Sequence, residues 1–207
     1  MEAHEPTAKV AKRFAPWLVE GVFILISVLL GFAAAQYGED RADRALARRA
    51  LAGLQTELEY NLTQVEPFVA FHRSHIGALS KVAAADGDDS GYQVFLRSRP
   101  ELPTGARADV PLVRSAAWDA AVSSGALRLL DYDLIASLSE VYQMQDHLGE
   151  AVGRIPTSLP AFFDPRERAS SIQLALAALN EMAWAEESLV ALYRKHLPTV
   201  GAATGQQ

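Results

Sequence analysis

The sequence contains no cysteine, few aromatic residues and no basic cluster beyond the flanks of one apolar segment near its N-terminus. Without cysteine, disulfides, thiolate metal sites and cysteine nucleophiles are excluded. Aromatic residues make up 8% of the chain, which argues against a β-sandwich or a β-barrel. A net charge of −6 argues against binding to nucleic acid, which needs clustered Lys and Arg. Half of the 207 residues are hydrophobic, and Ala and Leu dominate them, which favours helix.

One apolar segment, from Trp17 to Tyr37, has the length of a membrane-spanning helix. Its strongly polar residues are Glu20, Ser27 and Gln36. Twenty steps of about 1.5 Å give roughly 30 Å, the thickness of the hydrocarbon layer. Trp17 and Tyr37 would anchor the two ends at the headgroups, and Glu20 can reach back to the same interface. The sequence therefore predicts the lipid bilayer as a partner.

The flanks of this segment do not decide whether it is cleaved or in which direction it crosses the membrane. A basic tail, residues 1–16, precedes it, and Ala33, Ala34 and Ala35 before Gln36 would also suit a signal-peptide cleavage site. The alternative is therefore a secreted helical protein cleaved near Ala35. Basic residues on the two sides nearly balance. We expect a single-pass protein of the bacterial inner membrane with a cytoplasmic N-terminus and a periplasmic domain.

Small residues occupy one face of the membrane segment. Ser27, Gly31 and Ala35 follow one another at intervals of four. Small residues at this spacing let two helix backbones approach closely in lipid. This face predicts a contact with a second copy or with another membrane protein, although small residues are common in any membrane helix.

Beyond the membrane segment, apolar positions recur at steps of three and four, which predicts one long helix from about Asp40 to Ala85. The pattern resumes in phase after Pro67, which should therefore kink the helix without ending it. The inward positions are Leu51, Leu54, Leu58, Asn61, Val65, Phe68, His72, His75, Leu79 and Val82.

Two further stretches up to Val152 are predicted to be helical. A loop over about 86–111, with one short turn around Tyr92 to Arg97, precedes a short helix from Leu112 to Ser124 that Gly125 stops. Asp131 or Asp133 then caps a helix that runs to about Val152.

The last helix has the clearest local signal. Asp164, Pro165 and Glu167 supply an N-cap, a proline at the first helical position and a capping-box glutamate. This helix should end near His196, because Pro198 forbids continuation, and residues 198–207 should be disordered. The sequence thus predicts an all-α protein, in which a transmembrane helix, residues 17–37, continues into a helical domain, residues 38–197. That domain is expected to be an antiparallel bundle of three long helices and one short one.

Two blocks resemble a family of bacterial single-pass membrane proteins with no assigned activity. The first runs from Val19-Glu20-Gly21 through Gln36-Tyr37 to Leu51-x-x-Leu54-x-x-Glu57-Leu58-x-x-Asn61. The second is Trp118-x-x-Ala121-x-x-Ser124-Gly125-x-Leu127-x-Leu129-Leu130, followed by Leu134 and Tyr142. The resemblance implies the membrane helix and the helical domain, and it brings no catalytic residue.

The sequence motifs that could bind a metal ion are incomplete. Asp86, Asp88 and Ser90 match the first half of an EF-hand loop, but the twelfth position is Arg97, where calcium needs a glutamate. His72 and His75 share a helix face but lack the further ligands of a metal site.

The sequence evidence for a catalytic nucleophile or a catalytic carboxylate pair is equally weak. Ser123 and Ser124 before Gly125 lack a nucleophile elbow and suit a helix end. The carboxylates Glu140, Asp146, Glu150, Glu186 and Glu187 form no recognisable hydrolase pair, and Trp118 and Trp184 are expected to be core residues.

These observations predict no catalytic residue, no cofactor and no metal ligand. The leading hypothesis is a non-enzymatic interaction or structural module of the cell envelope, anchored in the membrane. The alternatives are a sensor-like domain that binds a small ligand and acts through a membrane partner, and an enzyme with a cryptic hydrolase or metal site.

Overall fold

The computed structural model of the chain describes residues 8–83, 89–154 and 165–206, and all structural statements refer to these. They contain five α-helices and no β-strand, which confirms the all-α prediction. The helices are α1 (Ala8–Ala83), α2 (Gly91–Ser98), α3 (Ala116–Ser123), α4 (Tyr132–Arg154) and α5 (Arg168–Gln206). Single 3-10 turns occupy Ala126–Leu129 and Pro165–Glu167.

The chain divides into two compact units, Met1–Leu46 (unit 1) and Ala47–Gln207 (unit 2). Unit 1 contains the apolar segment, which is long and apolar enough to cross a membrane. Its large side chains are exposed, with Phe32 at 71% and Leu30 at 65%. These side chains of unit 1 are therefore not covered by a protein core, whereas unit 2 buries apolar side chains in one.

Unit 2 is built around α1 from Ala47 onward, α4 and α5. The predicted stripe on α1 faces its core, since Leu51, Leu54 and Leu58 are fully buried. The prediction is wrong at the end of the stripe, where Val82 is 36% exposed. Contacts between helices fix their directions. Arg73 and Glu66 on α1 pair with Glu187 and Arg194 on α5, so these helices are antiparallel.

The middle helix α4 is also antiparallel to α5. Gln145 bonds to Tyr193, while Glu140, which precedes Gln145, lies near His196, which follows Tyr193. Because α1 and α4 both oppose α5, they run in the same direction. The chain between Ala83 and Tyr132 therefore has to return along the bundle, and α2 and α3 lie on this return path.

Several local predictions are confirmed. The short turn expected around Tyr92 to Arg97 is α2, and Ser90 opens it with a capping box that includes Gln93. Asp131 accepts a hydrogen bond from Asp133 N–H (2.9 Å) where α4 begins. Gly125 follows α3 with a φ of +72°, a left-handed conformation that favours glycine.

Two helix boundaries differ from the prediction. The helix expected from Leu112 begins only at Ala116, because the backbone of Arg114 bonds to the Asn61 side chain and not within a helix. The expected end at His196 is wrong, and so is the expected disorder after Pro198, because α5 continues through Pro198 to Gln206. Val200 is fully buried, and its burial offsets the hydrogen bond that Pro198 cannot donate. The cap residue Asp164 lies outside the described residues.

Candidate functional site

The residues singled out on the membrane segment lie on the surface of unit 1. Ser27, Gly31 and Ala35 are exposed, as are Trp17 (79%) and Tyr37 (68%). The Ser27 hydroxyl donates to the Phe23 carbonyl (2.8 Å), so this side chain needs no outside acceptor. A methyl group added at Gly31 would meet nothing within 4 Å. The face is therefore open to a second surface.

Unit 2 carries polar side chains in its interior, and Glu57 is the centre of the first group. Its carboxylate accepts hydrogen bonds from Ala117 N–H (2.8 Å), Trp118 N–H (3.4 Å) and the Tyr142 hydroxyl (2.7 Å). The two amides belong to the first turn of α3, where backbone N–H groups lack helical partners and the helix dipole favours an anion. Although Glu57 belongs to α1, its side chain thus caps the N-terminus of α3.

Asn61, one turn after Glu57, holds the chain just before α3. Its side-chain amide donates to the Arg114 carbonyl (2.8 Å) and accepts from Arg114 N–H (2.8 Å). The fully buried amide thereby satisfies both backbone groups of one residue, as a neighbouring strand would. The Arg114 guanidinium lies 3.6 Å from the centre of the Tyr60 ring, which adds a cation–π contact.

Two tyrosines from other helices complete this group. Gln145 on α4 donates to the Tyr193 hydroxyl on α5 (2.6 Å), and Tyr142 stacks on Trp118 with ring centres 4.6 Å apart. Burial raises the pKa of Tyr193 to about 12. Burial and the Glu57 carboxylate also raise the pKa of Tyr142. We call Glu57, Asn61, Tyr142, Gln145 and Tyr193 the glutamate layer.

A second interior group contains both histidines of the α1 stripe. His72 Nδ1 lies 2.9 and 3.0 Å from the two carboxylate oxygens of Glu186 on α5, and both residues are almost fully buried. His75 Nε2 lies 3.2 Å from the Phe95 carbonyl on α2. Burial raises the pKa of Glu186, while the hydrogen bond from His72 opposes that shift. We call His72, His75 and Glu186 the histidine layer.

A third histidine, His196, lies on α5 near Glu140 of α4. Its Nε2 is buried and has no hydrogen-bond partner among the described residues. The Glu140 carboxylate is 3.7 Å away, too far for a hydrogen bond, and Lys195 lies 3.8 Å from that carboxylate. Burial and the charge of Lys195 lower the pKa of His196. The lysine also makes this place unfavourable for a metal ion.

The predicted chemical motifs lie in different parts of the structure. His72 and His75 engage different partners, and no cluster of three potential metal ligands occurs in the described part of the chain. Asp86 and Asp88 lie outside the described residues. Ser90 caps α2, and Ser123 and Ser124 donate to carbonyls within α3.

The two tryptophans that were expected in the core differ. Trp118 is partly buried against Tyr142. The prediction that Trp184 is a core residue is wrong, because this side chain is 51% exposed. The rings of Trp184 on α5 and His147 on α4 are nearly perpendicular, with their centres 5.4 Å apart.

Sequence reasoning missed the partners of these interior groups. Glu57 lies next to Leu58 and four residues before Asn61, both on the inward stripe, and a carboxylate at that position was the available signal for a polar interior. Glu186 gives a weaker signal, because adjacent Glu187 is a surface residue paired with Arg73. Nothing in the sequence pairs His72 with Glu186, 114 positions apart.

No protein-family model, curated protein or solved structure matches this chain. The two sequence blocks that carry the family resemblance nevertheless meet inside unit 2. Glu57, from the first block, bonds to Trp118 N–H and to the Tyr142 hydroxyl, both from the second. The paired blocks thus describe how α3 is fixed to α1 and α4.

Proposed function

We propose that the protein is a membrane-anchored helical module of the bacterial cell envelope that works by contact and not by catalysis. Unit 1 crosses the inner membrane, with the N-terminal tail in the cytoplasm and unit 2 in the periplasm. One observation carries the proposal: the large apolar side chains between Val19 and Tyr37 form a continuous exposed run in unit 1, while the exposed apolar side chains of unit 2 are scattered around a buried core. An apolar surface of this extent needs lipid or protein to cover it.

The use of the interior polar groups supports a role without catalysis. Glu57, Asn61, His72 and Glu186 are at most 7% exposed, and each is bonded to another part of unit 2. A catalytic acid, base or nucleophile has to reach its substrate. These side chains instead join helices to one another, which leaves the surface of unit 2 as the part that meets other molecules.

We further propose that the chain belongs to the bacterial single-pass family that it resembles. The contacts of Glu57 with Trp118 and Tyr142 support this, because the residues that define the two blocks depend on one another. A pattern that arose separately in two helices would not require such a contact.

Anchoring and orientation are tested by carbonate extraction of membranes together with reporter fusions at the N-terminus and after Gln207. We expect the full-length protein to stay in the membrane pellet, and only the C-terminal reporter to act in the periplasm. A protein that is washed off with carbonate and begins at Gln36 would be a secreted one, and the anchoring proposal would fail.

Contact between two copies is tested with single cysteines, which are unique because the chain has none of its own. Ser27→Cys and Gly31→Cys should form disulfide dimers in membranes, since their face lets two backbones approach. Leu29→Cys and Ala33→Cys lie on the opposite face of α1 and serve as matched controls. Equal crosslinking from both faces would contradict a specific contact between two copies. The proposed contact would then have to be with another membrane protein.

A further inference from the structure

His75 connects α1 to the short helix α2. It is 1% exposed, and its ring centre lies 4.6 Å from that of Phe95. Because a carbonyl only accepts hydrogen bonds, the contact between Nε2 and the Phe95 carbonyl (3.2 Å) places the ring hydrogen on Nε2. A neutral imidazole therefore satisfies this contact without any charge.

The groups around His75 offer little compensation for a positive charge. On α1, the charged or titratable group that acts on His75 is His72, and it uses the carboxylate of Glu186 from α5. On the segment after α2, Asp109 is already paired with Arg99 at 3.3 Å. On α2 itself, Arg97 forms an ion pair with Asp89. A proton added to His75 would thus enter a buried layer whose carboxylate is already used.

The attachment of α2 is local. Its Val94 packs into a cluster with Leu79 of α1 and with Ile172 and Leu179 of α5. Gly91 passes close to α5, since an added Cβ would lie 2.6 Å from Ser171 Cβ. This helix has 8 residues, whereas α1 and α5 also bond to each other elsewhere. Detaching α2 is therefore the least costly way to bring water to His75.

We propose that α2 is an acid-sensitive latch: a proton on His75 releases Gly91–Ser98 from its seat on α1 and α5. The inference concerns unit 2 alone and does not depend on where unit 1 lies. It gives the contact surface of unit 2 two states, one with α2 closed and one with α2 released.

The direction of the response follows from burial, which lowers the pKa of His75 below its usual 6.5. A depressed folded-state pKa contributes stability that is present above about pH 6.5 and is lost as the pH falls. The open population of α2 should rise by up to about tenfold for each pH unit below 6.5, until the closed form also takes up the proton.

The test measures how fast a buried cysteine on α2 reacts with a pyridyl disulfide between pH 7.5 and 5. In the full-length protein, Val94→Cys reports opening, and Leu96→Cys, at an exposed position on the same helix, corrects for the pH dependence of the reaction. Ala121→Cys and Val122→Cys form the matched buried and exposed pair on α3. Each pair is also made with His75→Gln, whose amide can donate to Phe95 but does not titrate.

We expect the ratio of the Val94→Cys rate to the Leu96→Cys rate to rise up to tenfold per pH unit below 6.5. It should stay constant with His75→Gln, and the α3 ratio should stay constant in both backgrounds. A constant α2 ratio in the otherwise unchanged protein overturns the latch, and so does an equal rise with His75→Gln or on α3. If His75→Gln does not fold, the His75 ring titration measured by NMR replaces it: a midpoint that differs from that of the α2 ratio overturns the proposal.

Discussion

The glutamate layer and the histidine layer lie in the same helical unit but solve the problem of buried polar groups differently. In the glutamate layer, Glu57 accepts from two backbone amides and one hydroxyl, and Asn61 matches a backbone carbonyl and amide. In the histidine layer, His72 and Glu186 face each other, and His75 reaches one carbonyl. The first layer fixes chain segments through the backbone, and the second joins His72 to Glu186 through their side chains and His75 to one backbone carbonyl.

The two layers should therefore respond at opposite ends of the pH scale. Burial raises the pKa of Tyr142 and Tyr193, so the glutamate layer becomes unfavourable in alkali. Burial lowers the pKa of His75, so its contact in the histidine layer becomes unfavourable in acid, whereas the raised pKa of Glu186 acts in the opposite direction. A helix bundle can thus contain buried polar groups whose effects on stability change at opposite ends of the pH scale.

The largest effect is expected at Glu57. Glu57→Ala should lower the free energy of unfolding by about 3–5 kcal/mol, because it leaves three donors without an acceptor in a buried place. Glu57→Gln should still cost about 2 kcal/mol, since its NH₂ group cannot accept from the α3 amides. Urea unfolding of the full-length protein in detergent, followed by circular dichroism, measures both. An unchanged midpoint for Glu57→Ala would show that α3 is held by other contacts.

Glu186 provides the matched substitution in the histidine layer. Glu186→Ala should cost about 3 kcal/mol, because His72 loses its partner without gaining access to water. Glu186→Gln should stay within about 1 kcal/mol of the unaltered protein at pH 7, since a neutral amide can still pair with one imidazole nitrogen. The same urea measurement applies. If glutamine were as damaging here as at position 57, the two carboxylates would play the same role and the contrast between the layers would fail.

The alkaline response is expected to be somewhat smaller. The raised folded-state pKa of Tyr193, about 12, contributes stability that is fully present below pH 10 and is lost as the pH rises through 12. The loss amounts to about 2–3 kcal/mol for this tyrosine. Tyr193→Phe should show that much less loss between pH 9 and 12, whereas Tyr132→Phe, at a position that is 80% exposed, should not change the profile. Identical profiles for both variants would mean that folding does not raise the pKa of Tyr193.

Much of the architecture was predictable because it follows from periodicity and local signals. The α1 stripe, the α2 turn, the Gly125 stop and the Asp131 cap depend on residues close in sequence, and the structure contains all four, with the stripe buried as far as Leu79. The end of α5 was not predictable by the same means. Proline at position 198 is a local signal for termination, and the burial of Val200 that overrides it depends on helices far away in the sequence.

The interior site was only half predictable for the same reason. His72 and His75 stood out on the stripe, but their partners Glu186 and the Phe95 carbonyl come from other helices. Glu57 lay within a recognised block, yet its role required the start of α3 to be placed beside it. Residue type and spacing identify which side chains face inward, and they do not show what those side chains will meet.

Trp118 and Trp184 give the smallest and most direct comparison, since the sequence offers no reason to rank one above the other. Trp118 stacks on Tyr142 of the glutamate layer, whereas Trp184 is half exposed and lies outside both layers. Trp118→Ala should cost about 2–3 kcal/mol, less than the roughly 3–5 kcal/mol of a fully buried tryptophan. Trp184→Ala should change stability by no more than about 1 kcal/mol, because little area leaves a buried place. A reversed order in urea unfolding would mean that the α4–α5 surface, and not the glutamate layer, carries the aromatic packing of unit 2.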